Sequence, residues 1–212
     1  MAIKLIVVRH GNTFRSGDVI TRVGAGTDLP LVEKEKGRNI GKYLKYNNLI
    51  PDAVFSGPLT RHIQTAKLAM DEMSIQGEPI LLNSFNEIDY GPDENKPEDE
   101  VIKRVGENAI TEWDEKGIVP DGWLVDPDQL KESWINFSHF LEEQYNNQTV
   151  LIVSSNGIIR FAPFLTSDFE SFAYGNGLKV STGCLCIFQK ELNDHFWDCK
   201  VWNLNPKKLL NI

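Results

Sequence analysis

The chain has 212 residues, of which 41% are hydrophobic and 25% charged, and its formal net charge is −8. These values predict one soluble domain over residues 1–212, and the negative charge argues against nucleic-acid or anionic membrane partners. The apolar run at 5–8 is too short for a signal peptide or a membrane span, so we expect a cytoplasmic protein.

Hydrophobic periodicity predicts an alternation of strands and helices. The first strand is the apolar run at 3–8, whose β-branched residues are typical of a buried central strand. The predicted elements that follow are a helix at 30–48, a strand at 53–56, a helix at 60–73, a strand at 79–82, an acidic loop at 89–100, a helix at 98–115, turns at 121–127, a helix at 129–145, a strand at 149–154, a helix at 156–165, and antiparallel strands at 181–189 and 196–204.

This order predicts an α/β fold, a three-layer α/β/α sandwich with a mostly parallel central sheet. The segment at about 89–128 is expected to form a small cap insert above one edge of the sheet. Three cysteines and a histidine cluster near the C-terminal strands at Cys184, Cys186, His195 and Cys199. Their spacing is not typical of a zinc site, so we predict buried thiols and no metal.

Polar residues follow four of the predicted strands. Arg9 and His10 follow the first, Arg61 follows the second, Glu87 follows the third, and a Ser-Ser-Asn-Gly turn at 154–157 follows the fourth. In an open α/β sheet the ligand lies beyond the carboxyl ends of the strands. We therefore expect these side chains to converge at one edge of the sheet.

This set of residue types suits phosphoryl transfer. The planar fork of arginine binds phosphate oxygens in bidentate fashion, and a neutral imidazole nitrogen can attack phosphorus. A carboxylic acid can protonate the leaving alkoxide. The turn at 154–157 opens a helix whose free N–H groups suit an anion. The sequence therefore predicts a small phosphorylated substrate, with His10 as the nucleophile.

Five segments in order also resemble one known family. The first is Leu-Ile-Val-Val-Arg-His-Gly-Asn-Thr at 5–13. The others are Thr-Asp-Leu-Pro-Leu at 27–31, the Arg61 segment at 55–66, Asn-Glu-Ile-Asp-Tyr-Gly at 86–91, and residues 150–160. Together they resemble the histidine phosphatase superfamily, which includes the cofactor-dependent phosphoglycerate mutases.

The resemblance implies a role for each matched residue. Arg9 and Arg61 would bind phosphate, His10 would become phosphohistidine, and Glu87 would donate and later accept a proton. It implies hydrolysis of a small phosphomonoester, with no cofactor and no metal. The further residues predicted to bind the substrate are Asn12, Ser16, Ser155 and Asn156.

The chain departs from the family pattern at several of these positions. The family places a second histidine after its last catalytic strand, where this chain has Ser155. Asn12 replaces a common acidic residue, and Ser16 replaces a common asparagine. His62 stands where the family usually has a small residue. A serine hydroxyl stabilises charge less than a cationic imidazole does, so we expect slow or atypical turnover.

Several alternatives remain open from the sequence. The chain could be a weakly active relative that binds a phosphoester, or a mutase of the phosphoglycerate type. Ser155 could simply cap a helix, and the acidic run at 93–100 could be a solvated loop. His62 reads most simply as a partly buried helix residue, and the sharper hypothesis is that it supplies the missing imidazole. The oligomeric state and the substrate are unknown.

Overall fold

Six strands form one sheet in the computed structural model, which describes residues 2–209. The strands are β1 (Ala2–Arg9), β2 (Ala53–Ser56), β3 (Ile80–Leu81), β4 (Thr149–Ser154), β5 (Leu185–Glu191) and β6 (Asp198–Leu204). They lie in the order β3-β2-β4-β1-β5-β6. Strands β1 to β4 pair in parallel, whereas β5 is antiparallel to both β1 and β6. The predicted α/β class with a mostly parallel sheet is confirmed.

Helices connect and cover these strands. They are α1 (Glu35–Tyr46), α2 (Thr60–Met73), α3 (Glu98–Val105), α4 (Glu107–Lys116), α5 (Pro127–Gln144), α6 (Asn156–Ile159) and α7 (Phe169–Asn176). Short 3₁₀ helices lie at Asn83–Phe85, Gly91–Asp93, Ala162–Leu165 and Pro206–Lys208. No helix within residues 2–209 is long and apolar enough to cross a membrane.

The two central strands bury both of their faces. Along β1, Leu5 and Val7 belong to one hydrophobic cluster, and Ile6 and Val8 belong to the other. This alternation follows from the two-residue period of a strand. Apolar residues of α5 complete the first cluster, and those of α1 and α2 complete the second. The apolar run at 3–8 is therefore a central strand with a core on each side.

Some predicted boundaries are wrong because tertiary contacts fix the backbone. The helix predicted at 30–48 begins only at Glu35, since the N–H of Leu31 donates to the Gln64 side chain and that of Val32 to the Asn12 carbonyl. The strand predicted at 181–189 begins only at Leu185. Gly183 has a φ of 73° and its N–H reaches the carbonyl of His10, which holds a turn there.

The predicted helix at 98–115 is two helices. They are separated at Gly106, which has a φ of 87° and a ψ of 150°. The helix predicted at 156–165 ends at Ile159, and a 3₁₀ helix containing Pro163 follows it. Helix α7 was not predicted at all. It begins at the cap Asp168, whose carboxylate accepts from the N–H of Ser171.

The acidic run at 93–100 is only partly the solvated loop that its composition predicts, because residues 95–96 and 99–100 are exposed but Asp93 and Glu94 have partners. The Asp93 side chain is 2% exposed and accepts hydrogen bonds from Arg104 and from the indole of Trp123. Glu94 accepts from the N–H of Gly24 and from the hydroxyl of Thr27. These carboxylates therefore fasten the segment after β1 and the helical insert to each other. Buried carboxylates need such partners to remain ionised.

Candidate active site

Four of the predicted site residues come together where β1, β2 and β3 end. His10 follows β1 and is 6% exposed, Arg61 lies in the first turn of α2, and Glu87 follows β3. Burial sets the pKa of His10 well below its usual value, and the neighbouring charges of Arg9 and Arg61 lower it further. The same two arginines lie close enough to act on the pKa of Glu87. The imidazole is consequently neutral in the folded protein.

The tautomer of His10 is set by its own turn. Its Nδ1 lies 2.7 Å from the carbonyl oxygen of Gly11, which can only accept, so Nδ1 carries the hydrogen. The Gly11 N–H in turn donates to Thr65 Oγ1 at 3.0 Å, and that hydroxyl donates to the Arg61 carbonyl at 2.7 Å. Nε2 of His10 therefore carries a lone pair, as a nucleophilic imidazole requires.

The two arginines are held by backbone carbonyl groups. Arg9 Nη1 donates to Val180 O at 2.6 Å, and Arg61 Nη1 donates to Thr27 O at 2.9 Å. Burial lowers the pKa of both guanidinium groups, although both stay charged at neutral pH. Within residues 2–209, the buried Nε of each arginine has no hydrogen-bond partner. Two positively charged guanidinium groups with fixed positions therefore lie close to His10.

Glu87 is buried at the edge of this group. Its side chain is 8% exposed, and Oε1 accepts from the N–H of Ile88 at 2.9 Å. Burial raises the pKa of this carboxyl group, while the Ile88 N–H, Arg61 and Arg9 oppose the rise. A raised pKa favours the protonated form, which a general acid needs. Gly157 lies so close that a Cβ there would be 2.3 Å from Glu87 Oε1.

Ser155 and His62 form one hydrogen-bonded pair. His62 Nε2 lies 2.6 Å from Ser155 Oγ, and neither side chain is exposed. The ring centroids of His62 and His10 are 5.5 Å apart. Ser155 is the N-cap residue of α6, as expected, but its side chain makes no cap hydrogen bond and is turned to His62 instead.

The other predicted substrate-binding residues have different surroundings. Asn156 Oδ1 accepts from the N–H of Val180, the residue whose carbonyl oxygen holds Arg9. Asn12 Oδ1 accepts from Lys36 Nζ at 2.8 Å and from Thr182 Oγ1 at 2.7 Å. Ser16 lies in the exposed segment 15–20. The Asn12 amide oxygen is thus already engaged, and the structure does not bring Ser16 into the buried group.

Sequence reasoning missed two buried residues beside Glu87. They are Arg160, whose charge lowers the pKa of Glu87, and Tyr90, whose pKa is raised by burial and by the charge of Glu87. Burial lowers the pKa of Arg160 to about 10, and its guanidinium lies 3.9 Å from the ring centroid of Trp113. Tyr90 follows the Asn-Glu-Ile-Asp segment directly, and Arg160 lies four residues after Asn156, so both positions were within reach of the motifs.

Solved structures of other proteins share this fold. Alpha-ribazole phosphatase from Shigella flexneri matches with a TM-score of 0.70 and 20% identity, over 95% of this chain and 96% of that one. The mycobacterial glucosyl-3-phosphoglycerate phosphatase matches with a TM-score of 0.75 and 16% identity, over 96% and 99%. The similarity therefore extends over nearly the whole length of each protein.

Sequence relatives agree with the structural matches. The 2,3-bisphosphoglycerate-dependent phosphoglycerate mutase of Arthrobacter sp. (strain FB24) is 27% identical over 191 residues, covering 85% of this chain and 76% of that protein. The corresponding mutase of Cutibacterium acnes is 28% identical over 199 residues, with the same coverage. The sequence profile of the histidine phosphatase superfamily (branch 1) matches residues 5–205. The predicted resemblance is confirmed, and the chain belongs to the histidine phosphatase superfamily.

Proposed function

We propose that this protein hydrolyses a small phosphomonoester through a phosphohistidine on His10. The observation that carries the proposal is the hydrogen bond from His10 Nδ1 to the carbonyl oxygen of Gly11, which directs the lone pair to Nε2. Arg9 and Arg61 are close enough to lower the pKa of His10, and their buried Nε groups have no hydrogen-bond partner within residues 2–209. This combination supports attack on a phosphoryl group.

The reaction proceeds in two displacements. In the first, Nε2 of His10 forms a bond to phosphorus while the ester P–O bond breaks, and the carboxyl proton of Glu87 passes to the leaving oxygen. In the second, the Glu87 carboxylate takes a proton from water, whose oxygen forms a bond to phosphorus while the P–N bond to His10 breaks. The electron pair returns to Nε2 and inorganic phosphate is released. Arg9 and Arg61 stabilise the negative charge on the phosphoryl oxygens in both steps.

The charges around the site favour a substrate with one phosphoryl group. The next two arginines, Arg22 and Arg160, already have acidic partners in Glu98 and Asp114. Both also lie against aromatic rings, Arg22 over Trp123 and Arg160 over Trp113. A second anionic group on the substrate would therefore compete with contacts that the protein makes internally.

A mutase reaction is the second candidate, and the observation in its favour is the name of the sequence relatives. Those relatives are 2,3-bisphosphoglycerate-dependent mutases at 27% and 28% identity. A mutase must retain a bisphosphorylated intermediate, which the engaged state of Arg22 and Arg160 disfavours. Turnover that depends on added 2,3-bisphosphoglycerate would favour the mutase reaction over hydrolysis.

A panel of phosphomonoesters with phosphate detection tests the proposal. We expect wild-type turnover that is abolished in His10→Ala and strongly reduced in Glu87→Gln. Quenching with alkaline detergent during turnover should trap a phosphoryl group that is stable to base and labile to acid, as phosphohistidine is. Phosphoester binding without turnover would instead support a binding protein. Equal turnover by His10→Ala and the wild type would refute the proposed nucleophile.

A further inference from the structure

The serine that replaces the family's second histidine is not alone. Its hydroxyl oxygen lies 2.6 Å from Nε2 of His62, a residue for which the resemblance implies only a small side chain. Both side chains are fully buried, and the His62 ring lies 5.5 Å from that of His10. An imidazole thus remains beside the nucleophile, although it comes from α2 rather than from the turn after β4.

The backbone around this pair leaves space for the imidazole. A Cβ on Gly57 would lie 2.3 Å from both His62 Nδ1 and the carbonyl oxygen of Phe85, so glycine at 57 leaves space for the ring as well as for the backbone of Phe85. Ser155 is equally available, since its side chain makes no cap hydrogen bond to α6. The neighbouring Ser154 pairs with Arg9 across β4 and β1, and its carbonyl accepts from the N–H of His10. Ser155 therefore directly follows β4 next to the point where His10 follows β1.

The hydrogen positions follow from the partners of the ring. Nδ1 of His62 is buried and has no hydrogen-bond partner within residues 2–209. A hydrogen on Nδ1 would be a buried unpaired donor, which folded proteins rarely tolerate. The hydrogen therefore lies on Nε2 and is donated to Ser155 Oγ. The hydroxyl hydrogen of Ser155 is then free for another acceptor.

We propose that the Ser155 hydroxyl donates a hydrogen bond to an oxygen of the transferring phosphoryl group, and that His62 positions this hydroxyl. The pair would together replace the family's second histidine with a neutral donor. This inference rests on the proposed function. No covalent bond forms or breaks at either residue, because the pair acts only through hydrogen bonds. Ser155 is the residue that touches substrate, and His62 acts through it.

Amide substitutions at position 62 separate this role from simple packing. The amide nitrogen of glutamine reaches the place of histidine Nε2, whereas that of asparagine reaches only the place of Nδ1. His62→Gln therefore keeps a donor for Ser155 Oγ, and His62→Asn does not. A purely structural role would make the two variants similar, since both replace the ring by a polar amide.

The experiment compares kcat and KM for a hydrolysed phosphomonoester among the variants. We expect Ser155→Ala and His62→Asn each to lower kcat about 100-fold with little change in KM, and His62→Gln to retain most of the wild-type kcat. Combining Ser155→Ala with His62→Asn should lower kcat no further than Ser155→Ala alone, because both remove one interaction. His139→Asn, an exposed histidine on α5, is the control and should leave kcat unchanged.

Binding of orthovanadate is measured in parallel, with melting temperatures to verify folding. Ser155→Ala should weaken vanadate binding by at least about tenfold. Turnover that depends on His10 but is unchanged in Ser155→Ala would overturn the pair and leave the proposed function intact, as would equal kcat in His62→Gln and His62→Asn. If His62→Asn does not fold, the kcat of Ser155→Ala is compared with that of His62→Gln to decide whether the hydrogen bond between the two positions matters. If the wild type and His10→Ala turn over equally while vanadate binding still depends on Ser155, only the proposed function is overturned.

Discussion

The contact between Gly157 and Glu87 leads to a prediction about the general acid. In Gly157→Ala the new Cβ would lie 2.3 Å from Glu87 Oε1 and 2.6 Å from Ile88 Cγ1, whereas ordinary contact begins at 3.4 Å. The Ile88 N–H holds the same carboxylate oxygen at 2.9 Å. Relief of the overlap therefore requires the carboxyl group to move by about 1 Å, away from the donor that fixes it.

A displacement of this size predicts a definite loss of rate. Misplacing a catalytic group by about 1 Å can lower a rate about 100-fold, and a general acid contributes about 10²- to 10⁴-fold in total. We expect kcat of Gly157→Ala to fall about 100-fold, and no further than that of Glu87→Gln. The loss should be larger for an alkyl phosphate than for p-nitrophenyl phosphate, because p-nitrophenolate leaves without needing a proton.

Gly175→Ala provides the matched control. Gly175 is also helical, and nothing lies within 4 Å of a Cβ added there. This control should raise the free energy of unfolding by about 0.5–1 kcal/mol and leave kcat unchanged. Wild-type kcat in Gly157→Ala would contradict the proposed role of Glu87, as would an equal loss of kcat for both leaving groups in a variant that urea unfolding shows to be folded.

Two further predictions concern pH. The proposed mechanism needs neutral His10, whose pKa lies below its usual 6.5, and protonated Glu87, whose pKa lies above its usual 4.5. We therefore expect kcat/KM to peak on the acid side of neutrality and Glu87→Gln to remove the alkaline limb, and a plateau that extends to alkaline pH would contradict this. Burial also holds the pKa of His62 well below 6.5, so the unfolded chain binds the proton first, and the stability from neutral His62 is complete above pH 6.5 and lost as pH falls below it. The free energy of unfolding, measured with urea from pH 7.5 to 5, should fall less steeply with pH in His62→Gln than in the wild type. An equal pH dependence in the two proteins would exclude a buried neutral imidazole.

Elements with a strong local signal were predicted to the residue. β2, α2 and β4 begin and end where the hydrophobic pattern places them. Residues 150–153 are apolar on both faces because β4 lies between two cores, and 60–73 have a regular helical stripe. In these elements the local preference and the tertiary environment agree, which is the condition under which sequence patterns are informative.

Elements whose ends depend on distant contacts were predicted less well. The start of α1 is set by the Gln64 side chain, more than thirty residues along the chain from its partner Leu31. The break between α3 and α4 at Gly106 has a local cause, because a positive φ favours glycine. A glycine alone does not predict that a helix ends there. The cap of α7 was also readable, since Asp168 is followed three residues later by Ser171.

The site was predicted from motif order rather than from geometry. Arg9 ends β1, and His10, Arg61 and Glu87 each follow a parallel strand, so the sheet brings all four to one edge. The partners that determine their chemistry are tertiary. Thr65 supports the turn of His10 from α2, and its spacing of four residues from Arg61 is the one local signal for that contact.

The substitutions at positions 62 and 155 gain their meaning only when they are considered together. Taken singly, Ser155 is a lost histidine and His62 is a bulky residue in a place for a small one. In the structure the His62 ring lies against Ser155 at hydrogen-bond distance, so a histidine at 155 would compete with it for the same buried volume. Close packing allows one imidazole at that place, from either element. If the proposed pair acts as we infer, the chain keeps an imidazole near His10 but supplies it from α2 instead of from the turn after β4.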